Sequence, residues 1–213
     1  MAIIGSPAKI ERPSADREPD IGKFREPDWY APLDVEQYVR QTPPHATIKG
    51  LFLANQVALV GERRNRLYGV RDRYVAFKDY PLKEHVQMLP DVAQLLHPHR
   101  PLRDALRRVG QRVYPAFASS LVGKVMFQAV GSDINGVIRT GTKAFQVASN
   151  VGRVDILHLK DREGWFRLIH MYNYIDAYHV GIFEGPFLMF GLEPTVRVWL
   201  DSPTSGEFYV TWR

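Results

Sequence analysis

The stretch that decides the fold is VGRVDILHL at residues 151–159, followed by GWFRLIHM at residues 164–171. Apolar and polar side chains alternate in VGRVDILHL, which is typical of a half-buried β-strand. The charged sequence KDRE at residues 160–163 lies between the two stretches and has the composition of a tight turn. The two stretches are therefore predicted to form an antiparallel hairpin.

A second hairpin is predicted at the C-terminus. The stretches TVRVWL at 195–200 and EFYVTW at 207–212 flank DSPTSG at 201–206, which carries a strong turn signal. Between the two hairpins lies YHVGIFEGPFLMF at 178–190, which is apolar enough for a buried helix although it contains two glycines and a proline. The C-terminal part is therefore predicted to run strand, strand, helix, strand, strand in one antiparallel sheet.

The sequence before residue 150 is predicted to be helical. Apolar residues recur there at spacings of three and four, and prolines mark several helix boundaries. Pro101 opens one of these helices, and Pro90 is expected to kink another or to divide it in two. The predicted helices cover residues 33–40, 47–60, 82–96, 102–113, 117–130 and 134–147. The fold class is therefore predicted to be α+β, with an N-terminal helical layer packed on the C-terminal antiparallel sheet.

The first 45 residues are predicted to be an extended arm with one short helix, and residues 46–213 a single α+β domain. The beginning of the arm is rich in proline and alternating charges and poor in large apolar side chains, so it cannot form a core of its own. Phe24, Trp29 and Tyr30 are the exceptions. We predict that these three residues anchor the arm to a protein partner, to a second copy of the chain, or to its own domain.

Composition excludes several classes of protein. The 213 residues include no cysteine, so disulfide frameworks, cysteine-zinc sites, iron-sulfur clusters and thiol catalysis are excluded. No apolar run approaches the roughly 20 residues that a membrane span needs. The first apolar stretch, Ala2 to Ile4, is too short for a signal peptide, so a cytoplasmic location is expected.

The net charge of +5 comes from the middle of the chain. Residues 46–125 carry 14 basic and 6 acidic residues, whereas the segments before and after them are slightly acidic. Four arginines lie along one predicted helix, on the side opposite its apolar stripe. This basic ridge is a candidate for binding phosphates or an acidic partner, and it consists of Arg103, Arg107, Arg108 and Arg112. A solvated helix face balanced by nearby acids is the alternative.

Several longer stretches resemble a paralogous family of uncharacterised proteins found largely in myxobacteria. The resemblance is carried by RYVAFKDYPLKEH at 73–85, PLRDALRRVGQRVYPAFASSLVGKVMF at 101–127, VGIFEGPF at 180–187 and GEFYVTW at 206–212. These stretches agree with the family in order and spacing, so the assignment is specific. The function of the family is unknown, and membership implies no activity.

The C-terminal unit is also similar, more remotely, to the fold group of heme-nitric-oxide-binding, vinyl-reductase-type and TRAPP vesicle-tethering proteins. Members of this group bind heme, bind apolar small molecules, or act as assembly subunits. The heme-binding members carry a Tyr-x-Ser-x-Arg motif, whereas here Ser149 and Arg153 are four residues apart with no tyrosine in the pattern. No cofactor is therefore predicted. The resemblance implies an apolar pocket between the helices, lined by Phe117, Phe127, Phe183 and Phe187, with a filled core as the alternative.

Motifs for catalysis are missing from the sequence. GVIRTGTK at 136–143 has the wrong order after its second glycine for a phosphate-binding loop. His170, Asp176, His179 and Glu184 have no known metal-ligand spacing, and no metal site is predicted. There is no Gly-x-Ser-x-Gly turn, and Ser119 and Ser120 have no base beside them in the sequence. A pair of catalytic carboxylates stays open, with Glu184 in the most apolar setting.

The sequence therefore predicts a non-catalytic binding, assembly or regulatory domain that acts through protein-protein contacts, with an apolar ligand pocket as a further feature. Two alternatives remain. One is a heme or small-molecule sensor, and the other is a nucleic-acid-binding protein that uses the arginine ridge.

Overall fold

The computed structural model describes residues 18–120, 123–125 and 133–213. In this part of the chain seven helices and two antiparallel sheets form the predicted α+β fold. The helices are α1 (Val35–Gln41), α2 (Gly50–Val60), α3 (Leu82–Leu96), α4 (Leu102–Gln111), α5 (Val113–Ser119), α6 (Ile134–Ala148) and α7 (Tyr178–Met189). The strands are β1 (Thr47–Lys49), β2 (Asp79–Pro81), β3 (Arg153–Lys160), β4 (Glu163–Ile169), β5 (Pro194–Ser202) and β6 (Ser205–Trp212).

The C-terminal sheet confirms the prediction of strand, strand, helix, strand, strand. Its four strands are antiparallel in the order β3-β4-β6-β5, so each predicted hairpin forms and the two hairpins pair through β4 and β6. Side chains alternate between the two faces of the sheet. Phe166 and Phe208 lie on the face that packs against α7, whereas Trp165 and Tyr209 lie on the opposite face. One face of the sheet thus closes the main core.

The helical layer has its own core, formed mainly by α2, α3 and α4. Leu53, Val86, Leu89 and Leu106 are fully buried there. The helix α3 is continuous through Pro90, so the alternative of two short helices is wrong and one helix of 15 residues forms; a kink at Pro90 stays a prediction. Among the residues that the structure describes, no helix is both long and apolar enough to cross a membrane.

The start of the predicted helix 47–60 differs from the prediction. Thr47–Lys49 form β1, which pairs with Asp79–Pro81 of β2, and the helix begins only at Gly50. The pair of Ile48 and Tyr80 is buried at the middle of this small sheet. Asp79 lies in β2, and Pro81 precedes α3 without a side-chain cap. Pairing across 30 residues therefore overrides the local helical pattern.

The helix α7 lies between the two layers, because it packs against both α4 and the sheet. It has no continuous polar face, as expected of a helix buried between layers, although it carries the buried polar residues His179 and Glu184. Glycines permit the close approach to α4. A methyl group added at Gly181 would overlap the carbonyl oxygen of Arg107, and one added at Gly110 would overlap that of Tyr178.

The described part of the arm lies against the same chain. Phe24 is buried with Trp165 and Tyr209 on the outer face of the sheet, and Arg25 exchanges two backbone hydrogen bonds with Val198 of the edge strand β5. The predicted helix 33–40 is found as α1. Of the predicted helix 117–130, only residues 117–120 and 123–125 are described, and α5 ends at Ser119.

Candidate functional site

Two adjoining apolar cavities lie between the helical layer and the sheet. Each has a volume of about 80 Å³. The first is lined mainly by residues of α3, α5, α6, α7 and the segment 170–173, and the second by residues of α6, α7 and the sheet. They share four lining residues, Tyr114, Gly141, Phe145 and Ile182. The cavities therefore meet at one wall, where α5, α6 and α7 come together.

Three of the four predicted pocket residues line these cavities. Phe117 lines the first, and Phe183 and Phe187 line the second. Phe127 lies outside the described residues. The predicted position of a pocket, between the helices and α7, therefore agrees with where the cavities lie, and its use as a ligand site stays a prediction.

His85 is the polar residue that distinguishes the first cavity. Its side chain is fully buried and lines the cavity, in edge-to-face contact with the ring of Tyr178 at 5.8 Å. Neither ring nitrogen has a hydrogen-bond partner among the residues that the structure describes. Burial lowers the pKa of His85 to about 3, so the imidazole is neutral at physiological pH. A neutral imidazole offers one donor and one acceptor, and both are unused here.

Other buried side chains near this cavity have hydrogen-bond partners, although Oε1 of Gln56 has none among the residues that the structure describes. The Nε2 atom of His179 lies 2.6 Å from Oδ1 of Asn173, and the amide of Gln56 donates to the hydroxyl of Tyr178 at 3.2 Å. The hydroxyl of Tyr174 donates to the carbonyl of Val86 at 2.8 Å. A buried polar group without a partner costs roughly 1–3 kcal/mol. His85 thus has two unused hydrogen-bonding atoms within the described part of the chain, and a bound ligand group could satisfy one of them.

His85 was missed by the sequence analysis, although a signal for it existed. It lies three residues after Leu82 and four before Leu89, so it belongs to the apolar stripe of α3. A histidine on such a stripe is buried by the fold whether or not it has a partner. The absence of a partner depends on the surrounding helices, and no local pattern reveals it.

Heme is the cofactor that the remote fold resemblance implies, and the lining residues do not fit it. None of the described residues that line either cavity is an arginine or lysine that could pair with the heme propionates. Ser149, one half of the incomplete motif, donates its hydroxyl to the carbonyl of Thr47, and Arg153 pairs with Asp155. Two adjoining cavities of about 80 Å³ each are together close to the roughly 150 Å³ that accommodates benzene, and heme is far larger than benzene.

The arginine ridge is divided between ion pairs. Arg103 pairs with Asp176, Arg107 makes a bidentate contact with Glu184 at 2.6 and 2.7 Å, and Arg108 pairs with Asp104 at 3.1 Å. Within the described ranges only Arg112 of the four has no acidic partner. Arg103 and Arg107 therefore face acids of the α7 region instead of forming a free basic surface. Binding of nucleic acid by this ridge stays a prediction.

The three predicted arm anchors lie in different surroundings. Phe24 packs on the sheet as described above, and Trp29 lies under the guanidinium of Arg107, whose carbon is 4.7 Å from the ring centre. Tyr30 is 84% exposed. Two of the anchors thus contact the chain's own domain, and only Tyr30 is free to contact a partner. The roles of all three in assembly stay predictions.

The side chains weighed for catalysis or metal binding have structural partners. Glu184 is buried and accepts from Arg107 and also from Gln111 at 2.8 Å, and Asp176 pairs with Arg103. In the described ranges, no group of three histidine, aspartate or glutamate side chains is placed to hold a metal ion. The unsatisfied imidazole in an apolar cavity is therefore the strongest site feature of the described chain.

The fold is similar to that of several solved structures. The chain is similar to the H-NOX domain from Shewanella oneidensis in the Fe(II)CO ligation state, with a TM-score of 0.57 and 19% identity over 78% of this chain and 99% of that chain. It is equally similar to the Fe(II) unliganded H-NOX protein from K. algicida, with a TM-score of 0.57 and 12% identity over 78% of this chain and 97% of that chain. At these identities the likeness concerns the fold alone, and it confirms the predicted resemblance to the heme-nitric-oxide-binding fold group.

Sequence comparison identifies the family. No curated protein matches the sequence. The family model described as "Protein of unknown function (DUF2378)" matches residues 41–213, which include the whole helical layer from α2 onward and the complete C-terminal sheet. The chain therefore belongs to the DUF2378 family of proteins of unknown function.

Proposed function

We propose that this protein is a non-catalytic sensor domain that binds a neutral, mainly apolar small molecule in the two adjoining cavities. The observation that carries the proposal is His85, a fully buried neutral imidazole that lines the first cavity. Neither of its nitrogens has a partner among the residues described. A ligand with one polar group supplies the missing hydrogen bond. The rest of the ligand contacts aromatic and aliphatic side chains such as Phe145 and Ile182.

The charge of the ligand follows from the lining. None of the described lining residues is an arginine, lysine, aspartate or glutamate, and transferring an unpaired charge to such surroundings is strongly unfavourable. A neutral hydroxyl, amide or carbonyl group meets His85 without that cost. The ligand class is therefore an uncharged molecule with one hydrogen-bonding end and an apolar remainder.

The position of the site also supports a sensing role. The shared wall of the cavities includes Ile182 of α7, and α7 carries Glu184, which holds Arg107 against the arm residue Trp29. A ligand that displaces α7 thereby changes the surroundings of the arm. The similar H-NOX structures include Fe(II)NO and Fe(II)CO ligation states, and a ligand-responsive domain of this fold is consistent with that precedent.

The test compares two probes that differ only in their polar group. The full chain is titrated with 1-hexanol and with hexane while its thermal unfolding midpoint is recorded. We expect 1-hexanol to raise the midpoint more than hexane does, because only the alcohol satisfies His85. In the variant His85→Leu the difference between the probes is expected to vanish, whereas His45→Gln, an exposed control, retains it.

Two results would contradict the proposal. One is a failure of both probes to bind the native chain. The other is uptake of hemin, seen as a Soret band in the absorption spectrum of protein expressed with added hemin, because none of the described lining residues is suited to the propionates. Mass spectrometry of a solvent extract of the native protein identifies the physiological ligand, and a charged compound there would contradict the predicted ligand class.

A further inference from the structure

The basic charge of the middle segment is concentrated in one exposed loop. We call residues 61–78 the basic loop; they begin with a 3-10 helix (Gly61–Arg66) and end at the strand β2. The loop contains six basic and two acidic residues. Its basic residues are Arg63, Arg64, Arg66, Arg71, Arg73 and Lys78. This density of positive charge is independent of the cavities and of the function proposed for them.

Most of these cations are not neutralised by acids. Within the described part of the chain, Arg71 is the member of the loop that pairs with a carboxylate, that of Glu84. Arg63 and Arg64 donate to backbone carbonyls, and neither has an acidic partner within the described ranges. Arg66 and Arg73 are exposed, and the described residues provide no acid for either. The loop thus differs from the arginine ridge of α4, three of whose four arginines are paired.

Large apolar side chains are exposed among these cations. Tyr68 is 87% exposed, Phe77 is 69% exposed and Val75 is 49% exposed. Val75 and Phe77 lie in one turn, between Arg73 and Lys78. Exposed apolar side chains that lie together mark an interaction surface more often than isolated ones do.

The turn is held firmly by the rest of the fold. The backbone amides of Gly50 and Leu51, at the start of α2, donate to the carbonyls of Lys78 and Ala76 at 2.9 and 3.0 Å. The amide of Val75 donates to the hydroxyl of Tyr80 at 2.9 Å. The apolar tip is therefore presented on a rigid support, and its exposure is a property of the folded domain.

We propose that the basic loop is a docking surface for a membrane that contains anionic lipids. The cations attract the negative surface, and each Lys or Arg near such a surface contributes about 1 kcal/mol, or about a five-fold gain in affinity. Phe77 and Val75 enter the interfacial region beside them, and Tyr68 lies at headgroup level, where amphipathic aromatic residues are favoured. The partner is the lipid surface itself, and no spanning segment is required.

Single-stranded nucleic acid is the other polyanion that basic and aromatic residues can bind, and the geometry favours it less. Stacking needs aromatic rings spaced for successive bases. The backbone amide of Tyr68 contacts Asp91 in the second half of α3, whereas the turn of Phe77 lies near the start of α2 and just before α3. An aliphatic Val75 beside Phe77 also has no use in base stacking. The apolar turn therefore points to lipid.

The experiment measures co-sedimentation of the full chain with phosphatidylcholine vesicles prepared with and without phosphatidylserine. We expect binding to the vesicles that contain phosphatidylserine, with an affinity that falls as salt is raised. The double variant Arg66→Ser/Arg73→Ser should lose about five-fold in affinity per cation removed. Phe77→Ser should weaken binding without removing its salt dependence.

A matched control removes the same charge elsewhere. Arg139 and Lys143 are exposed on α6, with no acid partner among the residues described, so Arg139→Ser/Lys143→Ser tests net charge alone. This control should bind like the native chain, and all variants should retain the native unfolding midpoint. Equal loss in the control, equal binding to both kinds of vesicle, or tighter binding to a single-stranded oligonucleotide than to vesicles would overturn the proposal. None of these outcomes bears on ligand binding in the cavities.

Discussion

The two sides of α7 are packed in opposite ways. On one side, Gly181 and Gly185 bring the helix into backbone contact with α4, and the buried Glu184 forms a bidentate pair with Arg107. On the other side, Ile182 and Phe183 line cavities that the surrounding helices do not fill. One helix of 12 residues thus has a tightly packed interface and a loosely packed one.

This difference in packing implies that the α4 side of the helix contributes mainly to stability and the cavity side mainly to ligand binding. At the α4 interface backbone atoms are in contact, so a substitution there cannot be accommodated by rotating a side chain. At the cavity side the neighbours are side chains with space between them, and a ligand or a small substitution can be accommodated. The effects of substitutions on the free energy of unfolding are therefore expected to differ between the two sides in sign as well as in size.

The largest effect is expected from Gly181→Ala. The added methyl group would overlap the carbonyl oxygen of Arg107 and lie 2.8 Å from the backbone nitrogen of Gln111, so α4 has to move away from α7. Overpacking costs about 1–3 kcal/mol, and the upper end applies because the obstructing atoms belong to the backbone. Chemical denaturation should show a loss of about 3 kcal/mol in the free energy of unfolding. An unchanged midpoint would mean that this interface is not tightly packed.

A slightly smaller loss is expected from Glu184→Gln on the same side. The amide leaves Arg107 without its bidentate acid, and breaking a buried ion pair by changing one partner costs about 3–5 kcal/mol. We expect a loss of about 3 kcal/mol or slightly less in the free energy of unfolding. The reason is that the Arg107 side chain is 28% exposed, so water can solvate it. Arg40→Gln, which removes an exposed ion pair with Glu36, is the control and should change the free energy of unfolding by less than about 1 kcal/mol. Equal effects of the two substitutions would contradict the buried character of the α4 interface.

The fold could be predicted from sequence where the signal is local. The turn sequences and alternating strands of the C-terminal half determine both hairpins, and the continuous apolar pattern of α7 marks a buried helix. The pairing of β1 with β2 could not be predicted in this way, because Ile48 and Tyr80 meet only after α2 has folded back. Local helical spacing around Thr47 therefore indicated a longer helix than the one that forms.

The candidate site was predicted only in part, for a similar reason. Phe183 and Phe187 belong to an apolar helix that had to contact the rest of the core, so their place at a pocket could be anticipated. The ion pairs of Arg103 and Arg107 are made with residues more than 70 positions away, and charge spacing along α4 contains no information about them. Whether an arginine is free or paired depends on tertiary structure. The same holds for the missing partner of His85.

The buried histidines predict how stability depends on pH. Burial lowers the pKa values of both His85 and His179 to about 3, whereas in the unfolded chain each has its ordinary value near 6.5. The unfolded chain therefore binds more protons between these values, and stability is greatest above pH 6.5 and falls as the pH decreases toward 3. The slope is about 1.4 kcal/mol per pH unit for each histidine.

Replacement of His85, which lines the first cavity, tests this dependence of stability on pH. Between pH 6.5 and 5, the native chain should lose about 2 kcal/mol more than His85→Leu does, measured by denaturation at each pH. The control His45→Gln, at an exposed position, should keep the native slope. Identical slopes for the native chain and His85→Leu would show that His85 is accessible to protons in the folded state, which contradicts its burial in the cavity wall.

The smallest effect, and the one opposite in sign, is expected from Gly141→Ala at the shared wall of the cavities. The nearest atom to the added methyl group would be Cε2 of Tyr114 at 3.5 Å, which is ordinary van der Waals contact. Gly141 lies inside α6, where alanine is favoured over glycine by about 0.5–1 kcal/mol. The substitution should therefore stabilise the protein by up to about 1 kcal/mol, in contrast to the same substitution at Gly181.

Because the methyl group occupies the wall between the two cavities, Gly141→Ala should also weaken binding of 1-hexanol to the cavities. Destabilisation by Gly141→Ala comparable to that by Gly181→Ala would mean that both sides of α7 are tightly packed, and the cavities could not then accept a ligand without a larger rearrangement.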